Sequence, residues 1–339
     1  MKKVNVLIIS ILSIFLITTA CSDSSLTSSD KDSSNGGSRA LTAGYPSDFS
    51  APSDEVHGGK VRGFGGNKSA NKAQHQAVVA AAKKVPVIVL HGNGGSSTST
   101  EWGPQESIPM LKAAGYADEL IWAPSYLGYD GTASNHGMDY ADYPNVASNN
   151  ISDITKYIDA VLEYTGASKV DIIGHSSGGT LALAYVLGYS NSSTSKYKGS
   201  ATGGMTTCYD ANTHHFSLNN LDKVGAIVTL AADHYGFTSV MQATCNFNAN
   251  GQFVNQKLDF WYNNYETIKE KVNIYAVVAD GDWVDGGYST GFGTGTYTAP
   301  DGNTSGLEHA HENKIYPIPS NIPNAYTSTS STNDIAWHK

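Results

Sequence analysis

The sequence Gly174-His175-Ser176-Ser177-Gly178 lies between a short buried run and an apolar helical run, and this arrangement limits the fold more than any other feature. The pattern predicts a strand over residues 169–173 and a helix over residues 180–187. In a G-x-S-x-G turn between a strand and a helix, small neighbours let the two elements approach closely while the serine side chain points outward. We therefore expect a sheet alternating with helices and a nucleophile at Ser176.

Other apolar runs extend the same alternation along the chain. Strands are predicted at 85–90, 120–123, 224–231 and 272–279, and helices at 106–114 and 151–165. Strands that alternate with helices favour a mostly parallel sheet with helices on its faces. We therefore expect one α/β domain over residues 58–339. Its long aperiodic segments, at 190–220 and 283–306, are expected to form loops around a substrate site.

The N-terminus has the features of an export signal. Lys2 and Lys3 precede the apolar stretch 4–17, which is shorter than the roughly 20 residues that span a bilayer. Small residues end the signal at residue 20, and Cys21 follows directly, as in a lipid-modified lipoprotein cysteine. We expect a signal peptide over 1–20 and a disordered, serine-rich tether over 21–57. The protein is thus predicted to be secreted, either extracellular or anchored to a membrane in the cell envelope.

Charge and cysteine content limit which binding partners and covalent cross-links the chain is expected to have. The chain has 21 Lys and Arg against 30 Asp and Glu, a formal net charge of −9, and no basic block, which argues against a nucleic-acid partner. If Cys21 carries lipid, Cys208 and Cys245 remain as a pair that an exported protein can oxidise to a disulfide. We expect a monomer.

A serine nucleophile at neutral pH needs a base, and the base needs an acid to orient it. In this fold the chain order is serine, acid, histidine. Asp280 and Asp282 follow the predicted strand at 272–279, at the end of the sheet where such proteins place their sites. Asp282 is preferred because an apolar pair follows it; Asp280 and Asp233 are the alternatives.

Three histidines follow the acid. His309 is the preferred base, because Gly306-Leu307-Glu308 before it forms a turn that could present an imidazole. His311, two residues further along, is the alternative base, and the competing interpretation of it is a solvated surface histidine. His338 is the penultimate residue, and chain ends commonly fray.

The transition state of acyl transfer needs donors for its oxyanion. The glycine-rich sequence 91–95 follows the first clear strand, so the backbone N–H groups of Asn93 and Ser177 are the predicted donors. A metal site is not expected, since neither His214-His215 nor the pair His309 and His311 has a recognisable set of further zinc ligands nearby.

With these residues in place, the chain resembles the class 2 bacterial lipases and the lipase-like extracellular polyhydroxybutyrate depolymerases. The matching stretches are PVIVLHGNGG (86–95), LKAAGYADELIWAPSYLG (111–128), TKYIDAVLEYTGASKVDIIGHSSGGTLA (155–182), IYAVVADGDWVDG (274–286) and GLEH (306–309). The resemblance implies an α/β-hydrolase fold, a triad of Ser176, Asp282 and His309, and an oxyanion hole from Asn93 and Ser177. It also implies that His234 and Tyr235 line the substrate pocket, and that no cofactor is needed.

The expected function is hydrolysis of a water-insoluble ester, either a triacylglycerol or an aliphatic polyester such as polyhydroxybutyrate. Two alternatives belong to other classes. One is an esterase or amidase for small soluble substrates with the same triad. The other is a non-catalytic surface-binding lipoprotein on a hydrolase scaffold, which the ordered presence of nucleophile, acid, base and oxyanion loop disfavours.

Overall fold

The computed structural model describes residues 44–54, 59–92, 96–97, 104–126, 146–191, 214–232, 234–235, 252–279 and 307–316. The strands in these stretches are β1 Arg62–Gly65, β2 Val87–Leu90, β3 Ile121–Ser125, β4 Val170–His175, β5 Ser190–Asn191, β6 His214–His215, β7 Val224–Leu230, β8 Asn273–Ala279 and β9 Glu312–Tyr316. The α-helices are α1 Lys72–Ala81, α2 Pro104–Ala113, α3 Val146–Thr165, α4 Ser177–Val186 and α5 Gln252–Lys269.

Seven strands form one sheet in the order β1-β3-β2-β4-β7-β8-β9. β1 is antiparallel to β3, and every other neighbouring pair in this sheet is parallel. The parallel strands therefore all end at one side of the sheet, called here the carboxyl edge, and all begin at the other, the amino edge. The predicted α/β architecture with a mostly parallel sheet is confirmed.

Helices cover both faces of the sheet, and this explains the continuous apolar runs of its strands. On β2, Val87 and Val89 pack in a cluster with α2, whereas Ile88 and Leu90 pack in a larger cluster with α3, α4 and α5. All four side chains are at most 2% exposed. A strand buried on both faces has no polar alternation, which is the pattern that the sequence predicted for residues 85–90.

The predicted helix that ends before Gly166 is confirmed as α3. Ile151, Ile154 and Ile158 lie on its buried face at the spacing of an amphipathic helix. Gly166 has a φ of 70° and donates its N–H to Leu162 O at 2.9 Å. Glycine adopts this left-handed conformation without steric cost, so it ends the helix where the sequence indicated.

Six strands and helices were not predicted: β1, β5, β6, β9, α1 and α5. The longest is α5, whose buried residues Val254, Leu258, Trp261 and Ile268 are separated by polar and tyrosine residues. They fall on one face at helical spacing, but the low apolar content of the segment hid them. The omission of β9 matters most, because this strand decides on which edge the histidines at 309 and 311 lie.

The folded domain begins earlier than the sequence indicated. Residues 44–54, assigned to the disordered tether 21–57, pack onto the sheet. Phe49 is 9% exposed, and its ring centroid lies 4.9 Å from that of Trp122. The predicted tether is therefore too long at its C-terminal end, because an aromatic side chain buried against the core orders the chain around it.

The long segment after α4 begins and ends at the amino edge. α4 runs back from the carboxyl edge, and the N–H groups of Ser217 and Leu218 donate to Leu187 O at 3.0 and 3.2 Å, close to the start of β7. The short pair β5–β6 closes the described ends of this segment. Those ends therefore lie on the opposite side of the sheet from the turn at Ser176, and do not flank it as the predicted loop 190–220 was expected to do.

Candidate active site

A single residue connects β4 to α4. The strand ends at His175 and the helix begins at Ser177, so Ser176 makes the turn. Its φ is 52° and its ψ −128°, and such a conformation costs a non-glycine residue about 1–3 kcal/mol. Ser176 N–H donates to Leu230 O at 2.8 Å, and Ser176 O accepts from Gly179 N–H at 2.9 Å. These bonds hold the strained serine at the carboxyl edge, in the predicted strand–turn–helix.

Glycines allow three backbone segments to meet around Ser176. A Cβ at Gly174 would lie 2.5 Å from Gly178 O, and one at Gly178 would lie 2.5 Å from His91 O. A Cβ at Gly92 would lie 3.0 Å from Ser176 Cβ. Real Cβ atoms do not approach other atoms below about 3 Å, so the close contact of β2, β4 and α4 depends on these residues having no side chain.

The same contacts bring two backbone segments close to Ser176. Ser177 is the first residue of α4, and N–H groups in the first turn of a helix have no partner within the helix. The exit of β2 at Gly92 lies beside Ser176. Asn93 follows it and lies outside the described residues. The structure thus brings Ser177 and the β2 exit to the predicted nucleophile, in a position suited to stabilise negative charge.

His91 is a buried neutral histidine at this edge. Burial lowers its pKa to about 4. Its Nδ1 lies 2.8 Å from Gly92 O and must carry the proton that it donates there, and its ring stacks on Tyr126 at 3.9 Å. Its Nε2 is buried and has no hydrogen-bond partner among the described residues. The ring fixes the backbone at the β2 exit and carries no charge near neutral pH.

The predicted acids lie outside the described residues. β8 ends at Ala279 on the carboxyl edge, and Asp280 and Asp282 come immediately after it in the sequence. The alternative acid, Asp233, also falls outside. The segment that carries Asp280 and Asp282 therefore leaves the sheet at the same edge as Ser176, and their roles stay predictions.

The structure does not bring His309 to Ser176. His309 precedes β9, and β9 is parallel to β8, so this histidine lies toward the amino edge. Its ring stacks on Tyr265 with centroids 4.0 Å apart, and its Nε2 is 3.5 Å from Glu308 Oε1. Moreover, β9 is three strands from β4, roughly 14 Å at about 4.8 Å per strand. Because no sequence pattern predicted β9, His309 was expected after the last strand rather than before it.

Of the two alternative histidines, only His311 lies within the described residues. His311 N–H donates to Ile274 O at 2.8 Å, and its Nδ1 accepts from Ile274 N–H at 3.0 Å, so it is fixed near the start of β8 at the amino edge. His338 lies outside the described residues. β9 ends at Tyr316 on the carboxyl edge, so the chain that follows β9 begins at the edge of Ser176.

His234 and Tyr235, predicted to touch substrate, have their side chains in the interior. Each is 1% exposed. His234 Nε2 lies 3.1 Å from Thr229 Oγ1, and burial holds the pKa of His234 well below its usual value. Tyr235 OH accepts from Glu308 N–H at 3.2 Å. The prediction assumed that the loop after this strand opens into the pocket, whereas its side chains fold back along β7 and onto the segment before β9.

Three buried residues for which the sequence predicted no role bond to chain segments at this edge. Lys257 of α5 is fully buried, and its Nζ donates to His234 O at 2.8 Å. Ser125 and Tyr126, at the end of β3, bond to the segment that follows β2. No motif marks a lysine on an unpredicted helix, but the strand at 120–123 was predicted, and the polar residues shortly after it were the available signal.

The remaining predicted sites are not described. Cys21, Cys208 and Cys245 all lie outside the described residues. Within the described part of the chain, no group of three or more His, Cys, Asp or Glu side chains could hold a metal ion. No helix in that part is long and apolar enough to cross a membrane.

Comparison with known proteins adds a family. The family model described as lipase (class 2) matches residues 84–303. Among solved structures, dienelactone hydrolase from Anabaena variabilis ATCC 29413 is 14% identical, over 85% of this chain and 92% of that one, with a TM-score of 0.41. Naproxen esterase (carboxylesterase NP) from Bacillus subtilis is 12% identical, over 82% and 83%, with a TM-score of 0.38.

A third solved structure, phospholipase PlaB from Legionella pneumophila, is 13% identical over 58% of this chain, with a TM-score of 0.35. The chain spans only 38% of the length of PlaB. Scores this low bear on neither activity nor substrate. The family match and the sheet order together confirm the predicted α/β-hydrolase fold.

Proposed function

We propose, from the premise that the chain belongs to the class 2 lipase family, that this lipase-type hydrolase cleaves carboxylic esters through an acyl-enzyme on Ser176. The observation that carries the proposal is the backbone of Ser176. A non-glycine residue with a φ of 52° at the end of a parallel strand and the start of a helix is strained. Such strain is expected where the side chain must face a substrate at the carboxyl edge.

The reaction has two steps. Ser176 Oγ forms a bond to the ester carbonyl carbon while its proton passes to the base, and the alcohol then leaves with that proton. Water next attacks the acyl-enzyme, and the same base takes its proton and passes it to Ser176 Oγ as the acid product leaves, which regenerates the free serine. In both steps the carbonyl oxygen becomes an oxyanion, for which we propose Ser177 N–H and Asn93 N–H as donors.

For the acid we propose Asp282, with Asp280 as the alternative, since both follow β8 at the edge of Ser176. For the base, the placement of His309 and His311 toward the amino edge favours a histidine in the chain after β9. In the sequence this is His338. His338 therefore replaces His309 in the proposed triad.

The proposed substrates are water-insoluble esters, either triacylglycerols or aliphatic polyesters such as polyhydroxybutyrate. The export signal and Cys21 support a secreted or envelope-anchored enzyme that meets such substrates outside the cytoplasm. A disulfide between Cys208 and Cys245 fits the same compartment.

The test is hydrolysis of amorphous polyhydroxybutyrate and of an emulsified triglyceride, measured side by side with the Ser176→Ala variant as the blank. Wild-type turnover of either ester, lost by at least about 10⁴-fold in the variant, is expected. Labelling by a fluorophosphonate probe should disappear in the same variant. Folded wild-type protein that neither cleaves an ester nor takes the label would contradict the proposal.

A further inference from the structure

The loop between Gly92 and Ser97 is held at both ends by two consecutive residues at the end of β3. We propose that these residues, Ser125 and Tyr126, are positioning residues that set the loop against Ser176 for oxyanion binding. This inference rests on the proposed function, because it assigns them to the oxyanion hole of the same site.

Ser125 holds the end at which the loop returns. Its Oγ accepts from Ser97 N–H at 3.0 Å and donates to Ser97 Oγ at 2.7 Å. Both serines are at most 2% exposed. A buried hydroxyl that bonds to both a backbone N–H and a side chain fixes the partner in direction as well as distance.

Tyr126 holds the end at which the loop begins. Its hydroxyl donates to His91 O, and its ring stacks on the ring of His91 with an interplanar angle of 11°. A Cβ at Gly178 would lie 2.9 Å from the Tyr126 hydroxyl, so this oxygen also touches the first turn of α4. One buried phenol therefore contacts both the β2 exit and the helix that begins after Ser176.

These two segments carry the two proposed oxyanion donors, Asn93 on the loop and Ser177 on the helix. An oxyanion hole acts only if its donors lie at hydrogen-bond distance from the oxygen of the transition state, and small displacements reduce rate more than binding. Ser125 and Tyr126 contact residues on either side of these donors in the chain. Their effect is on where the donors stand.

The experiment uses the full chain with Ser125→Ala and p-nitrophenyl butyrate as substrate. We expect kcat to fall about 10- to 100-fold, less than the 10²–10³-fold for deleting a donor itself, while KM changes by less than about twofold. The Ki of an alkyl trifluoromethyl ketone should rise by the same factor as kcat falls, since its adduct with Ser176 also carries an oxyanion.

Two further variants separate positioning from simple loss of packing. Tyr126→Phe removes only the hydroxyl at the other end of the loop and should show the same pattern of kcat and Ki. Thr165→Val is the matched control, because Thr165 Oγ1 is also a buried hydroxyl, bonded to Val161 O at 2.7 Å near the amino edge. This control should keep wild-type kcat and Ki. Ser125→Thr retains the hydroxyl and should keep a Ki near that of the wild type.

The results decide between the two levels of the proposal. An unchanged kcat in both Ser125→Ala and Tyr126→Phe, or a fall in kcat without a rise in Ki, overturns the positioning role while the serine hydrolase remains. If wild-type protein has no activity that Ser176→Ala abolishes, the proposed function itself fails. Because Tyr126→Phe keeps the ring, it decides the outcome should Ser125→Ala fail to fold.

Discussion

The two edges of the sheet are built from different materials. At the carboxyl edge, backbone segments approach so closely that Gly174 and Gly178 have no room for a Cβ, and Ser176 is strained. At the amino edge, the described carboxylates, histidines and tyrosines bond to backbone groups and to one another. Glu308, for example, lies between Tyr262 OH at 3.2 Å and His309. Among the described residues, the ionisable side chains at the amino edge thus serve the structure, whereas close backbone contact marks the candidate site.

The sharpest test of this difference compares His338, the proposed base, with His309 toward the amino edge. His338→Ala should lower kcat by about 10³-fold or more, because it removes the proposed base. His309→Ala should keep kcat within about tenfold, because its ring packs on Tyr265 toward the amino edge. Initial rates with p-nitrophenyl butyrate, with thermal unfolding as the control for folding, measure both. The reverse result would return the base to His309 and break the contrast.

A pair of glycine variants tests the backbone contacts. A Cβ at Gly178 meets the backbone oxygen of His91 at 2.5 Å, whereas one at Gly225 meets the side-chain Oδ1 of Asp171 at 2.6 Å. Gly178→Ala should therefore lower the free energy of unfolding by about 1–3 kcal/mol and lose most activity. Gly225→Ala should cost about 1 kcal/mol or less, because a side chain can move aside. Urea unfolding and kcat check both; equal losses would show that the carboxyl edge is no tighter.

Asp171 near the amino edge predicts a pH dependence of stability. Burial raises its pKa to about 7, against about 3.9 in an unfolded chain. The folded protein thus binds an extra proton between about pH 4 and pH 7. The contribution of the protonated Asp171 carboxyl to the free energy of unfolding is fully present below about pH 4 and is lost as the pH rises through about 7. Asp171→Asn removes it, so the stability of this variant relative to wild type should rise between pH 5 and pH 8 by on the order of 2 kcal/mol. If the difference in urea midpoint between the variant and the wild type were the same at both pH values, this prediction would be wrong.

The smallest expected effect concerns Asp48, on the segment before β1. Its Oδ1 accepts from Tyr164 OH at 2.6 Å, and this bond holds the pKa of Asp48 below its usual value. A lowered pKa stabilises the fold above the unfolded value of about 3.9, and that contribution disappears as pH falls through the folded pKa. Tyr164→Phe should therefore lower Tm slightly at pH 7, with the difference from wild type shrinking at pH 3. A difference in Tm that is the same at both pH values would exclude Asp48 as its source.

The sequence predicts the part of the fold that is apolar and regular. The strand at 85–90 was visible because both of its faces are buried, and the strand at 169–173 because of its apolar residues. Ser176 was visible because its turn needs glycines at fixed positions. The element order and the nucleophile followed from these local requirements.

What the sequence missed depends on partners that are far away in the chain. β9 has the sequence Glu312-Asn-Lys-Ile-Tyr316, and it is a strand because β8 pairs with it. Without that strand, the chain order of serine, acid and histidine predicted that His309 contacts Ser176, whereas β9 places His309 toward the other edge of the sheet. The inward turn of His234 likewise depends on Thr229 and on Lys257 of an unpredicted helix.

The backbone of Ser176 also limits how this position can change in evolution. Three small side chains with an aliphatic hydroxyl or a thiol serve as such nucleophiles in proteins: serine, cysteine and threonine. At a φ of 52° a β-branched residue is a genuine steric outlier. Exchange of serine for cysteine leaves the turn intact, whereas threonine would have to rebuild it. During evolution, cysteine can therefore replace serine at this position, whereas the backbone conformation excludes threonine whatever its reactivity.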